Sequence, residues 1–317
     1  MAAALSYARR ASGQTGHSPA VGCVIVKQGR IIARGHTQPG GRPHAEAMAL
    51  SAAGGEAAGA DIYVTLEPCA HDSERGPACC DSVIAARPAR VVIACTDPDP
   101  RTAGKGIAKL RAAQIHTETG VMQAEARAAM AGFFTRQLLG RPHVTLKLAT
   151  SLDGKIALAS GQSQWITGEA ARAHCHLERA CHDMILVGSG TLRADNPALT
   201  VRLPGLEGRS PARIMLGRGE TPDGWQKLAS PGDIAALPGN SLFVEGGSGA
   251  ASSFLRSGLV DRILLYRAPI MLGDGKPCLG DIGLSDLAEA HGTWRLTDTR
   301  MLAKDRMEIY ERTERPE

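Results

Sequence analysis

The sequence has 317 residues, of which 43% are hydrophobic, 21% charged and 3% aromatic, with a formal net charge of +4. That length favours two domains over one, and the charge is too small and too scattered to mark a nucleic-acid-binding surface. No stretch reaches the roughly 18 uninterrupted apolar residues of a membrane span, so neither nucleic acid nor membrane is expected as a partner. The opening "MAAALSYARRASGQTG" lacks the apolar h-region of a signal peptide. The eight cysteines, at 23, 69, 79, 80, 95, 175, 181 and 278, form no regular disulfide framework. Reduced thiols and a cytoplasmic enzyme are the expectation.

The first half alternates strand and helix signals. "VGCVIVKQGRIIARG" (21–35) reads as two apolar strands around a Gln28-Gly29 turn. "HAEAMALSAAG" (44–54) reads as a helix stopped by glycine, "DIYVTLEPC" (61–69) as a strand running into proline, and "CDSVIAARP" (80–88) as a short helix. The strand "RVVIAC" (90–95), the loop "TDPDPRTAGKG", a helix near 106–113 and a strand near 115–118 continue the pattern, and one helix over 123–140 ends it. A second α/β run follows. It has strands at 143–149, 183–188, 213–217, 241–247, 262–269 and 306–312, a helix over 169–181, and a Gly/Pro-rich stretch at 204–240 expected to loop at the periphery. Such alternation predicts α/β domains in which helices cover sheets.

Chemistry gathers in two places. "HAE" (44–46) opens a helix, and Cys69 follows a strand–proline turn. Zinc takes thiolate sulfur and imidazole nitrogen tetrahedrally, and a catalytic site keeps its fourth position for water. His44, Cys69 and Cys79 supply three such ligands, with the Glu46 carboxylate beside them to shuttle protons. This is the H-x-E…P-C arrangement of zinc deaminases, although the second cysteine comes ten positions after Cys69. For the cysteines alone, a structural zinc site or a redox pair is the plain alternative. Cys80 reads as a small apolar thiol at a helix start. "EGGSGAASSFL" (245–255) follows a strand and leads into a helix, a turn that offers backbone N–H groups to phosphate. It lacks the G-x-G-x-x-G dinucleotide fingerprint. Lys147 is unusual inside an apolar strand unless it points into a cleft, while Asp153 and Asp195 suit turns. His174, His176 and His182, with Cys175 and Cys181, are spread around several helix faces and do not make a second metal site.

Eight stretches, "SPAVGCVIV", "PHAEAMAL", "YVTLEPCAH", "GPACC", "DPDPRTAGKG", "LKLATSLDGKIALASGQSQWIT", "ADNPALTVR" and "VEGG", follow one another along the chain. In that order they resemble the bifunctional riboflavin-biosynthesis deaminase–reductase family, over essentially the whole sequence. The resemblance implies a cytidine-deaminase-like three-layer α/β/α domain at 1–141 and a dihydrofolate-reductase-like α/β domain at 142–317. The first would deaminate a diaminopyrimidinone ribosylamine 5′-phosphate. The second would reduce the ribosyl chain to ribityl with NADPH.

The resemblance places one zinc ion on His44, Cys69 and Cys79, with proton transfer at Glu46, and makes His71 a substrate-contacting or loop-ordering residue. It places NADPH against Ala149, Trp165, Thr191, Asp195, and the run Gly247, Ser248, Gly249, Ala250, Ala251, Ser252 and Ser253. Substrate contacts fall on Ser163, Arg179, Leu199, Arg202 and Glu245, the two arginines offering planar forks to phosphate. Self-association into a homo-oligomer is implied as well. Two departures stand out: Ser18 occupies the position of the family's asparagine, and "SERGPAC" is one residue longer than the family's loop before the second cysteine. That insertion leaves Glu74 and Arg75 as alternative substrate-facing residues, and Cys79 and Cys80 as alternative ligands. Rival readings are a zinc deaminase of other nucleosides, a reductase with a decayed deaminase half, and a structural zinc module.

Overall fold

A hairpin with a glycine on each of its faces organises the first half of the chain. The structure, a computed structural model, describes residues 1–71 and 76–313, and the chain divides into two compact units, Met1–Gly140 and Arg141–Glu317. In the first, α1 (Ala2–Ala8) precedes the hairpin β1 (Gly22–Lys27) and β2 (Arg30–His36). Then α2 (Ala45–Ala53) leads to β3 (Asp61–Val64), α3 (Cys79–Ala85) to β4 (Arg90–Ile93), and α4 (Lys105–Ala112) to β5 (His116–Thr119). Helices α5 (Gln123–Ala129) and α6 (Ala131–Leu139) close the unit. The strand order is β2-β1-β3-β4-β5. β1 is antiparallel to both neighbours, and β3, β4 and β5 run parallel.

Gly22 pairs with His36 and Cys23 with Gly35, so the two glycines point to opposite faces of the sheet. A Cβ on Gly22 would collide with the Ala4 carbonyl of α1, and one on Gly35 with the Ala45 carbonyl of α2. The two helices therefore lie on opposite faces, which makes the expected three-layer α/β/α sandwich. Its core is aliphatic: Ile25, Ile62, Val64, Ile93 and Leu110 are fully buried, with Phe133 and Phe134 the only large rings in the cluster.

The second unit contains β6 (His143–Thr150), β7 (Lys155–Ala157), α7 (Glu169–Ala180), β8 (Met184–Gly188), α8 (Ser189–Asp195), β9 (Ala212–Leu216) and β10 (Gln226–Leu228). It continues with β11 (Ser241–Val244), α9 (Ser248–Arg256), β12 (Arg262–Arg267), β13 (Lys276–Pro277), β14 (Trp294–Leu302) and β15 (Asp305–Arg312). Eight strands form one sheet in the order β10-β9-β8-β11-β6-β12-β15-β14, while β13 and β7 pair separately. From β10 to β12 the neighbours are parallel, and β15 and β14 return antiparallel. Half-buried carboxylates lock the strand starts. Asp261 takes both Nη1 and Nη2 of Arg141, at 2.7 and 2.8 Å, and the Val144 N–H. Asp183 Oδ2 takes the N–H groups of Asn240 and Ser241 and the Ser241 hydroxyl, each at 2.9 Å.

Several elements differ from the sequence expectation. The helix over 123–140 is two helices, because the last turn of α5 tightens until the Met130 N–H reaches both the Ala126 and Arg127 carbonyls. β3 and β11 end earlier than expected, where Pro68 and the glycines after Glu245 begin their turns. The stretch 204–240 is not all loop, since β10 adds to the sheet edge. α1, α8 and β14 carry too little apolar periodicity to stand out; β14 is mostly exposed along its length.

The glycine contacts yield a direct test. Gly35→Val should destabilise the Met1–Gly140 unit by about 1–3 kcal/mol through overpacking. Calorimetry of the full chain should show its transition falling by roughly 3 °C or more. An unchanged midpoint would contradict the close packing of α2 on β2.

Candidate functional site

Helix starts place the first cluster. α2 begins immediately after His44 and α3 begins at Cys79, while Cys69 sits in the turn that leaves β3. His44 Nδ1 lies 3.2 Å from Cys79 Sγ and 3.6 Å from Cys69 Sγ. The three ligand atoms are within 4.8 Å of one another, and the Cys79 N–H donates to Cys69 Sγ at 3.2 Å. The hydrogen bond from the Cys79 thiol holds the Cys69 thiol well below its ordinary range, with help from His44 and the Cys79 amide. Donating that proton from a buried position raises Cys79 correspondingly. The pair is thus set to lose a first proton easily at Cys69. Glu46 is 3% exposed. Burial pushes its carboxyl up to about 7, against the pull of His44 and with a push from Cys69.

A cavity of about 290 Å³ opens over this cluster. Ser18 and His71 line it. His71 Nδ1 is 3.3 Å from the buried Thr102 hydroxyl, which ties the turn after Cys69 to the loop after β4. Cys80 is buried, its thiol 3.7 Å from Asp81 Oδ1, and takes no part in the three-residue cluster. Glu74 and Arg75 lie outside the described residues.

The sequence reading missed the acids behind the cavity. Glu67, 2% exposed, accepts the N–H groups of Asp97, Gly104 and Ile107 at 3.2, 2.9 and 3.0 Å. It thereby caps the start of α4, where a carboxylate meets the positive end of the helix. Asp97 accepts the Asp99 N–H at 2.9 Å, and burial raises its carboxyl to about 6. Asp99 grips Arg101 through Nε and Nη2. The signal for Glu67 was present: an acid in "TLEPC", at the end of a buried strand, must find donors.

In the second unit the adjacent parallel strands β8, β11 and β6 bring three loops to their carboxyl ends, where ligands bind in open α/β sheets. Ala149 lies near the end of β6, Thr191 and Asp195 on α8 after β8, and Glu245 just beyond β11. The Gly247 N–H donates to Thr191 Oγ1 at 3.1 Å, joining the β8 and β11 exits. Ser248 through Ser253 form the first turns of α9. A Cβ on Gly246 would meet Ala250, so the backbone turns tightly into that helix.

Glu245 is the charged centre. Its carboxylate takes Arg179 Nε and Nη2 at 2.6 and 2.9 Å, lies 3.7 Å from Lys147 Nζ, and receives the Cys175 thiol at 3.6 Å. Burial alone would raise its carboxyl, yet Lys147 and Arg179 hold it down at about 2. The fork of Arg179, expected to face phosphate, is therefore taken up by Glu245, and its Nη1 by the Thr200 carbonyl at 3.0 Å. Arg202 is exposed, with its backbone N–H on His176 Nδ1 at 3.3 Å. Leu199 is buried and adopts φ +54°. Ser163 and Trp165 lie in the loop before α7. Trp165 is 64% exposed, with the Arg172 guanidinium 4.6 Å from its ring centre.

Comparison with known proteins follows the same division. Residues 1–95 match the cytidine and deoxycytidylate deaminase zinc-binding region. Residues 142–228 and 233–306 match the RibD C-terminal domain. The riboflavin biosynthesis protein RibD of Escherichia coli is 40% identical over 340 residues, covering 92% of this chain and 92% of that protein. The RibD protein of Aquifex aeolicus is 38% identical, covering 92% and 91%. Among solved structures, Acinetobacter baumannii RibD superposes with a TM-score of 0.89 at 33% identity, covering 99% of this chain and 98% of that one. A Thermotoga maritima diaminohydroxyphosphoribosylaminopyrimidine deaminase/5-amino-6-(5-phosphoribosylamino)uracil reductase gives 0.89 at 32% identity, covering 99% and 97%. With relatives this similar spanning nearly its whole length, the chain belongs to the RibD family of riboflavin-biosynthesis deaminase–reductases.

Proposed function

We propose that this chain performs two consecutive steps of riboflavin biosynthesis. It deaminates 2,5-diamino-6-ribosylamino-4(3H)-pyrimidinone 5′-phosphate in its first unit, then reduces the ribosyl chain of the product with NADPH in its second. The observation that carries the reading is the convergence of His44, Cys69 and Cys79 beside buried Glu46. One imidazole nitrogen and two thiols, one of them already inclined to ionise, are a donor set suited to zinc. These three residues would hold one zinc ion, which when bound supplies Lewis acidity toward water. Glu46 takes a proton from the attacking water and passes it to the amino nitrogen, which leaves as ammonia.

In the second unit the β11–α9 turn offers backbone N–H groups to a dinucleotide phosphate. Ala149, Trp165, Thr191, Asp195 and the run from Gly247 to Ser253 are the contacts we assign to NADPH, which when bound supplies the hydride. Arg179 fixes Glu245 at the strand ends. Ser163, Leu199 and Arg202 complete the substrate side, with the exposed Arg202 guanidinium available to phosphate. We place the domain boundary at 141/142, where the helix ending at Gly140 gives way to Pro142, and the enzyme in the cytoplasm, in keeping with the reduced thiols expected of its cysteines; the sequence resemblance implies a homo-oligomer. Among the described residues, no helix is long and apolar enough to cross a membrane.

Metal analysis should return about one zinc per chain; full deaminase activity in metal-free protein would contradict the first site. Glu46→Gln should lower ammonia release by about 10²–10⁴-fold, while NADPH oxidation on the deaminated compound continues. Loss of both activities together would show that the two sites are not independent.

The Glu245 cluster predicts a pH signature. Its carboxyl is held at about 2 against an ordinary 4.5. The stabilisation is therefore complete above pH 4.5 and is lost as pH falls toward 2. Glu245→Gln should cost about 3–5 kcal/mol at neutral pH, because Arg179 and Lys147 lose their buried counter-charge. The difference from the parent chain should shrink steadily below pH 4.5 in denaturant titrations; a pH-independent difference would contradict the ion cluster.

A further inference from the structure

The cavity over His44, Cys69 and Cys79 holds two guanidiniums that the three-residue cluster does not use. Arg42 and Arg101 both line it, as do Glu67, Asp97 and Asp99. The acids facing these guanidiniums are already engaged. Glu67 is taken up by three backbone N–H groups, and Asp97 accepts the Asp99 N–H. Asp99, whose side chain is 9% exposed, receives Arg101 Nε at 3.0 Å on each oxygen, Nη2 at 2.5 Å and the Arg101 N–H at 2.9 Å. This grip fixes one edge of the Arg101 guanidinium. Its Nη1 has no partner among the described residues, and the side chain is 66% exposed. Arg42 makes no hydrogen bond or ion pair among the described residues. Its Nη1 lies 3.2 Å from where a Cβ on Gly76 would sit, so the guanidinium rests against bare backbone beside the second cysteine's loop.

Two guanidiniums in one cavity, one of them oriented by a buried carboxylate and the other without a partner among the described residues, offer a receptor for a dianionic oxyanion. Resting on the deaminase reading above, we propose that Arg42 and Arg101 clamp the 5′-phosphate of the pyrimidine substrate in the first unit and set its preference for phosphorylated over unphosphorylated compounds. Asp99 is then a positioning residue that aims Arg101. Gly76 keeps the approach to Arg42 open.

The test compares deamination of the ribosylamine 5′-phosphate and its dephosphorylated counterpart by the full-length parent, Arg42→Gln, Arg101→Gln and the double variant. Losing one charge-assisted contact should raise KM for the phosphorylated compound about 10- to 100-fold, leave kcat within about threefold, and leave the dephosphorylated compound little affected. Arg101→Lys, which keeps the charge, should retain part of the preference. Equal losses on both compounds, or an unchanged preference, would overturn the clamp. Calorimetric titration with ribose 5-phosphate separates this failure from that of the deaminase reading. If the parent deaminates neither compound yet the double variant loses one ribose 5-phosphate site, the deaminase reading falls and the clamp stands. If the parent is inactive and no site is lost, both fall.

Discussion

The first site depends on one buried carboxylate. Glu67 collects N–H groups from Asp97, Gly104 and Ile107, while its own N–H reaches the Cys95 carbonyl at 2.8 Å. A buried carboxylate without donors would cost several kcal/mol. These contacts instead fasten the exits of β3 and β4 and the start of α4 to one point. Cys69 lies two residues beyond Glu67, and its carbonyl takes the Cys80 N–H at 3.1 Å, which anchors α3 to the same turn. Gly106 completes the junction, since a Cβ there would strike the Pro68 carbonyl. His44 arrives from α2, which Gly35 admits closely to the sheet. The geometry of the His44, Cys69 and Cys79 cluster thus follows from hydrogen bonds and close backbone packing behind it.

The second unit solves a similar problem with charge. Glu245 stands where β11 ends between β8 and β6, and Arg179, Lys147 and the Cys175 thiol hold it there. The neighbouring Gly247–Thr191 hydrogen bond ties two strand exits together. In both units parallel strands deliver loops to one sheet edge, and a buried acid keeps those loops in place. That common device suits two reactions on closely related compounds carrying the same phosphate handle.

How much of this was legible in the sequence depended on the range of the interaction. His44, Glu46 and Cys69 announce themselves, because their chemistry is compressed into "HAE" and "TLEPC" and each stands at the edge of an apolar element. The Gln28-Gly29 turn and the strands around it follow from local residue preferences in the same way. Glu67 could be recognised in "TLEPC" as a buried acid in need of donors, but not as the partner of Ile107, 40 residues away; Asp99 and Arg101 pair only two residues apart, yet "DPDP" alone looks like a turn. Arg179 was visible as a fork but not as the partner of Glu245, a contact spanning 66 residues. The break at Met130 has no proline to mark it, and β14 gains its place only by pairing with β15. Short-range patterns wrote the elements; buried charges joined them, and those pairings have no local signature.

The central claim is that one chain performs deamination and then reduction on the same phosphorylated pyrimidine. The most direct measurement supplies the diaminopyrimidinone ribosylamine 5′-phosphate to the zinc-loaded chain, with and without NADPH, and identifies the products by mass. Without NADPH, the account predicts accumulation of the compound in which one amino group has become a carbonyl oxygen. With NADPH, it predicts the same compound with its ribosyl chain reduced to ribityl. An unchanged starting compound, or a reduced product that still carries both amino groups, would contradict it.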